Sequence, residues 1–116
     1  MEGSKRLSRR ALSAIRREEE VVIPAICSWE LALLVVRERV KLRAPVAAVL
    51  TEVLAEPGVR LQPLTPEIGI RAAQLSPGEP MDPADQLIAA TALVLGAPLI
   101  TSDDRLRSLP GVRSLW

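Results

Sequence analysis

The sequence predicts an α/β fold with a mainly parallel sheet. Three observations carry this expectation. Apolar patterns of helical period alternate along the chain with short Val/Ile/Leu runs instead of clustering by type. Turn and cap residues fall at the joints between these segments, as Pro57-Gly58, Thr65-Pro66, Asp82-Pro83 and Gly96. The 116 residues can bury one core but not two, and no repeat, low-complexity tract or long linker divides them. A single domain over residues 1–116 is therefore expected.

From about Ser8 to Glu20, Leu7, Ala11, Leu12 and Ile15 form one apolar stripe and predict a helix. Val21-Val22-Ile23 predicts a short buried strand that continues through Pro24 to Ile26. Pro24 has no backbone donor and suits the end or edge of that strand. A helix follows from about Ser28 to Arg39, apolar on most sides through Leu31, Leu33, Leu34, Val35 and Val36. The next helix opens near Pro45. Its Val46, Val49, Leu50, Val53 and Leu54 recur along one face until Pro57-Gly58 stops it.

Val59, Leu61 and Leu64 predict a second strand. Thr65-Pro66-Glu67 starts a helix with proline at its first position, and that helix carries Ile68, Ala72 and Leu75. After a loop at 76–81, Asp82-Pro83-Ala84-Asp85 opens a helix in a capping-box-like layout, which runs to Leu95 and ends at Gly96. Pro98 to Thr101 predicts a third strand, Asp103-Asp104 a short helical turn, and Val112 to Trp116 a last strand.

Hydrophobic residues make up 48% of the chain and charged ones 25%, the balance of a globular protein. No run approaches the roughly 20 apolar residues of a membrane span. The start lacks the apolar segment of a signal peptide, so the default location is cytoplasmic. A formal charge of +1 gives no bulk drive toward nucleic acid. Lys5, Arg6, Arg9, Arg10, Arg16 and Arg17 crowd the N-terminus ahead of Glu18, Glu19 and Glu20, a pattern that fits a solvated helix face or a phosphate-contacting patch.

Absences remove several chemistries. With no histidine there is no Ser-His or Cys-His catalysis and no His-ligated zinc. The single Cys27 excludes an internal disulfide; lacking a histidine to activate it, it is expected to be a small buried side chain. Only Trp29 and Trp116 are aromatic, which argues against a stacking platform for single-stranded bases. Trp29 is expected in the core or an interface, and Trp116 packed on the sheet. Carboxylate chemistry remains, with or without a metal.

The acids are not scattered evenly over this map. Glu30 falls in the first turn after the first strand, and Asp103 and Asp104 follow the strand ending at Thr101. In open parallel sheets, ligands bind beyond the carboxyl ends of strands. Asp85 lies in the first turn of its own helix, whose end can face the same crevice. Converging carboxylates repel one another unless a cation offsets them, and an all-oxygen set favours Mg²⁺ or Mn²⁺. Each acid also has a structural explanation. Near a helix N-terminus a negative charge contributes about 0.3–1 kcal/mol of stability, and Asp82 fits a plain N-cap.

Three segments carry a resemblance. Ile26-Cys27-Ser28-Trp29-Glu30-Leu31-Ala32 resembles a serine-rich, Trp-Glu-containing segment of VapC-type PIN domains. Asp82-Pro83-Ala84-Asp85-Gln86-Leu87-Ile88-Ala89-Ala90-Thr91-Ala92 resembles their most recognisable stretch, and Leu99-Ile100-Thr101-Ser102-Asp103-Asp104-Arg105-Leu106 is similar to their fourth acidic motif. Order and intervals agree from about Leu7 to Trp116. The resemblance implies a PIN-like three-layer α/β/α fold with a mainly parallel sheet. It further implies Glu30, Asp85 and Asp103 around one or two Mg²⁺ or Mn²⁺ ions, with Thr101 flanking them. The implied activity is that of an endoribonuclease, the toxin of a type II toxin–antitoxin pair. RNA would be its substrate, a cognate antitoxin its partner and a homodimer its assembly.

Two departures from the family pattern stand out. Cys27 occupies a position where the family commonly has serine or threonine. The family fold also opens with a central strand bearing an aspartate and then an apolar helix, whereas this chain starts about where the second helix is expected. That aspartate has no counterpart, and the central strand is expected to be missing, exposing its neighbours' edges and apolar helix faces. An N-terminally truncated domain follows, of doubtful activity. Three readings are open: a true start upstream, a decayed inactive copy, or a PIN-like remnant that binds a partner through the helix at 28–39. The intact later motifs favour the first. Two other functions compete, a non-catalytic partner-binding module and a phosphoacceptor using Asp103-Asp104. The second lacks a later strand with a suitable lysine.

Overall fold

The structure is a computed structural model that describes residue 9, residues 20–75, 81–100 and 104–115. Arg9 is helical. The rest of the helix expected at 8–20, the loop at 76–80, and the expectations for Thr101, Asp103 and Trp116 lie outside the described residues.

Strand β1 (Val21–Pro24) pairs in parallel with β2 (Val59–Gln62), in a register that sets Val21 beside Val59 and Pro24 beside Gln62. The Val21 N–H donates to Gly58 O at 2.7 Å and the Ala25 N–H to Gln62 O at 2.9 Å. Residues 21, 23 and 25 thus turn their backbone groups toward β2, and Val22 and Pro24 turn theirs to the opposite edge. Pro24 loses nothing there, because the donor it lacks would have faced away from the ladder.

Helix α1 (Ile26–Val36) starts two residues earlier than the sequence pattern predicts, so the strand does not reach Ile26. Ala25 makes the change: its N–H completes the ladder while its φ of −57° and ψ of −32° are already helical. The helix ends at Val36 rather than Arg39. Glu38 takes a left-handed φ of 57°, and the Glu38 and Arg39 amides donate back to Val35 O and Leu34 O, closing the last turn.

Helix α2 (Val46–Leu54) follows Pro45, and Gly58, at φ 81°, turns the chain into β2. Leu64, expected within that strand, lies past its end and is 57% exposed. Helix α3 (Pro66–Ala73) begins as predicted. Thr65 Oγ1 accepts the Ile68 N–H at 3.2 Å, with proline at the position that needs no donor. Helix α4 (Pro83–Leu95) repeats the device, Asp82 Oδ1 accepting the Ala84 N–H at 2.8 Å, and ends on Gly96 in the left-handed region.

The core lies between α3 and α4, where Ile68, Ala72 and Ala90 are buried and Leu75, Leu87 and Val94 pack around them. Alanines at 72, 84, 89 and 90 let the backbones come close, and Gln86 Nε2 donates across the gap to Ala72 O at 3.1 Å. Beyond α4, β3 (Leu99–Ile100) pairs in parallel with β4 (Ser114–Leu115), with the short α5 (Asp104–Arg107) between them.

The sheet is thus split. Among the described residues β1–β2 and β3–β4 form separate two-stranded parallel sheets, and no strand joins them. Helices around a small parallel sheet agree with the PIN-like α/β expectation.

Candidate active site

β1 delivers the chain directly into α1, and α1 packs against α4, which also packs on β1. Two of the three predicted acids ride on these helices near their amino ends. Asp85 is the third residue of α4, in its first turn as expected, and is half-buried. The helix dipole there favours its ionised form.

Glu30 is the fifth residue of α1. Because that helix starts at Ile26, it falls in the second turn rather than the first, and the first turn of α1 holds no acid. Its side chain is half-buried. Among the described residues nothing offers that carboxylate an ion pair or a side-chain hydrogen bond. Arg60, by contrast, pairs with Glu20 at 3.3 Å.

Cys27 lies one turn before Glu30 and is partly buried, as the sequence predicts for a structural thiol. Burial chiefly, and the Glu30 charge secondarily, push its thiol above the ordinary value. That shift disfavours the thiolate, the form that acts as nucleophile. Oxygen donors alone remain, which suits a hard divalent cation and not zinc. Among the described residues no cluster of three or more His, Cys, Asp or Glu is close enough to hold a metal. Glu30 and Asp85 lie on the packed helices α1 and α4, and Asp103 and Thr101 are outside the described set.

A feature the periodicity did not signal is a cleft of about 220 Å³ at the carboxyl ends of β1 and β2. Ile26 and Trp29 of α1, Gln62 at the end of β2, Leu64 beyond it, and Leu87 and Thr91 of α4 line it. Trp29 is 54% exposed, so it is not the core residue that the apolar run around it allows. Thr91 is buried.

A family model described as PIN domain matches residues 2–112. Over 103 residues the chain is 45% identical to "Ribonuclease VapC22" of Mycobacterium tuberculosis, an alignment covering 89% of this chain and 78% of that protein.

Proposed function

Since the chain belongs to the PIN-domain family, in its VapC-type branch, we propose that it is an Mg²⁺- or Mn²⁺-dependent endoribonuclease, the toxin of a type II toxin–antitoxin pair. The observation that carries this reading is the pair of half-buried carboxylates, Glu30 and Asp85, near the amino ends of two helices packed together. The M. tuberculosis relative, a ribonuclease by name, supports it.

Glu30, Asp85 and Asp103 would hold the ion, and Thr101 would flank it. A bound divalent ion supplies Lewis-acid charge at a phosphodiester and makes water a competent nucleophile at neutral pH, which is how a chain without histidine can hydrolyse RNA. The residues of the chain keep the donors ready. The dipole of α4 favours negative charge at Asp85, and among the described residues no ion pair engages Glu30. RNA is then the substrate, a cognate antitoxin and a second copy are the protein partners, and the cytoplasm is the place of action. Among the described residues no helix is long and apolar enough to cross a membrane. We read residues 1–116 as one domain.

The test is RNA cleavage by the natural gene product with Mg²⁺ or Mn²⁺. Asp85→Asn should lower the rate by roughly a hundredfold or more, the consequence of losing several kcal/mol of metal-supplied stabilisation. Undiminished cleavage by that variant would sink the assignment. The exposed apolar side chains of α1, Trp29 and Val36, favour a second reading, a non-catalytic module that binds a partner. Tight partner binding indifferent to EDTA and to Asp85→Asn, with no cleavage by either protein, would establish it instead.

A further inference from the structure

Trp29 is one of two aromatic residues in the chain, stands 54% exposed, and walls the cleft between α1, α4 and the ends of β1 and β2. It immediately precedes Glu30. Among the described residues the rest of the cleft is apolar apart from Gln62 and Thr91, and the hydrogen bonds of these two bear on what it can receive. Thr91 Oγ1 donates its proton to Leu87 O at 2.7 Å, so toward the cleft it can only accept. Gln62 Oε1 accepts from Arg60 at 2.7 Å and Nε2 donates to Pro63 O at 3.1 Å, which among the described residues leaves one amide hydrogen to give. An indole face with one donor and one acceptor nearby suits a flat heterocycle that carries both on its edge. Every unpaired nucleobase does so on its Watson–Crick edge. An aliphatic side chain from a protein partner would leave both groups unmet.

We propose that this cleft receives one unpaired base of the RNA, stacked on Trp29, and that Trp29 thereby restricts the substrate to single-stranded sites and positions the strand. The proposal rests on the ribonuclease reading. It revises the sequence expectation in one respect: two tryptophans are too few for an extended platform, but one exposed indole beside a polar-edged cleft makes a single stacking position.

The experiment uses the full chain with Trp116→Phe, so that Trp29 is the sole indole, and Ca²⁺ in place of Mg²⁺ or Mn²⁺, so that RNA is bound and not cut. A fluorescently end-labelled ten-nucleotide RNA reports binding by anisotropy while Trp29 emission is followed in the same titration. Stacking predicts quenching that saturates with binding, and no quenching by the same sequence as a duplex. In Trp29→Leu the affinity should fall roughly 5- to 150-fold, the equivalent of about 1–3 kcal/mol for one stacked base, with Trp29→Phe losing less. Equal affinity of Trp29→Leu and its parent, or binding without quenching, overturns the stacking proposal and leaves the ribonuclease reading standing. No binding by the parent itself overturns both. Loss of a dimer in Trp29→Leu, seen by light scattering and with RNA affinity unchanged, assigns the cleft to a second copy and also overturns the proposal.

Discussion

Helices α1 and α4 end in the same way and differ in almost everything else. In α1 the Glu38 and Arg39 amides return to Val35 O and Leu34 O at 3.0 and 2.9 Å; in α4 the Gly96 and Ala97 amides return to Leu93 O and Ala92 O at 3.2 and 3.0 Å. Both arrangements need one residue in the left-handed region, at φ 57° and 65°. In α4 that residue is glycine, which pays no steric penalty, while in α1 it is Glu38. At the other end Asp82 caps α4 with its side chain, whereas Ala25 has none to offer α1. Burial runs the same way. Nothing in α1 is buried despite its Leu and Val content, while α4 buries Ala84, Ala89, Ala90 and Thr91. Apolar composition alone does not make a core helix. Small residues that let neighbours close in, and ends that suit their bonds, do. In this molecule α4 holds the fold together and α1 presents side chains, Glu30 and Trp29 among them.

That contrast can be broken most severely at Ile68, the largest fully buried side chain among the described residues, which packs against α4. Ile68→Ala should cost about 2–5 kcal/mol in urea unfolding. A loss below about 1 kcal/mol would show that the α3–α4 contact is not the stabilising centre. At the shared helix end, Gly96→Ala meets no atom within 4 Å, so its cost is the strained φ alone, about 1–2 kcal/mol by thermal or urea melting. A neutral result would show that the turn relaxes. The smallest effect, and the sharpest comparison, is the reverse change: Glu38→Gly should stabilise by up to about 1 kcal/mol. Destabilisation there would mean that the Glu38 side chain makes a contact that outweighs its backbone strain.

The two helices also divide what the sequence discloses. The limits of α4 and the start of α3 were legible because their signals are local. Proline fixes φ at the first helical position, an acceptor two or three residues away meets an N–H, and glycine marks the exit. The start of α1 was not legible, since Ala25 offers no capping side chain and its amide belongs to the strand. Leu64 matched the alternation of a strand, yet the ladder stops at Gln62.

Of the proposed ligands, Asp85 is legible as an acid in a helix's first turn and Glu30 chiefly through the family resemblance, since it lies one turn further into its helix than the pattern places it. The exposure of Trp29 was not visible, because the same apolar run describes a buried helix equally well and only its neighbours decide. The cleft joins residues 29, 62 and 91, and no periodicity relates positions so far apart in the chain.

Pro24 carries one more consequence. Since Val22 and Pro24 alone turn their backbone groups away from β2, the other edge of β1, which no described strand covers, holds carbonyls at both positions but a single amide donor, that of Val22. Fibril growth requires each added strand to find donors and acceptors repeating along the whole edge. On this edge the repeat fails at its second step. A proline that costs the native ladder nothing thus makes this edge a poorer template for a cross-β stack, as a gatekeeper residue does.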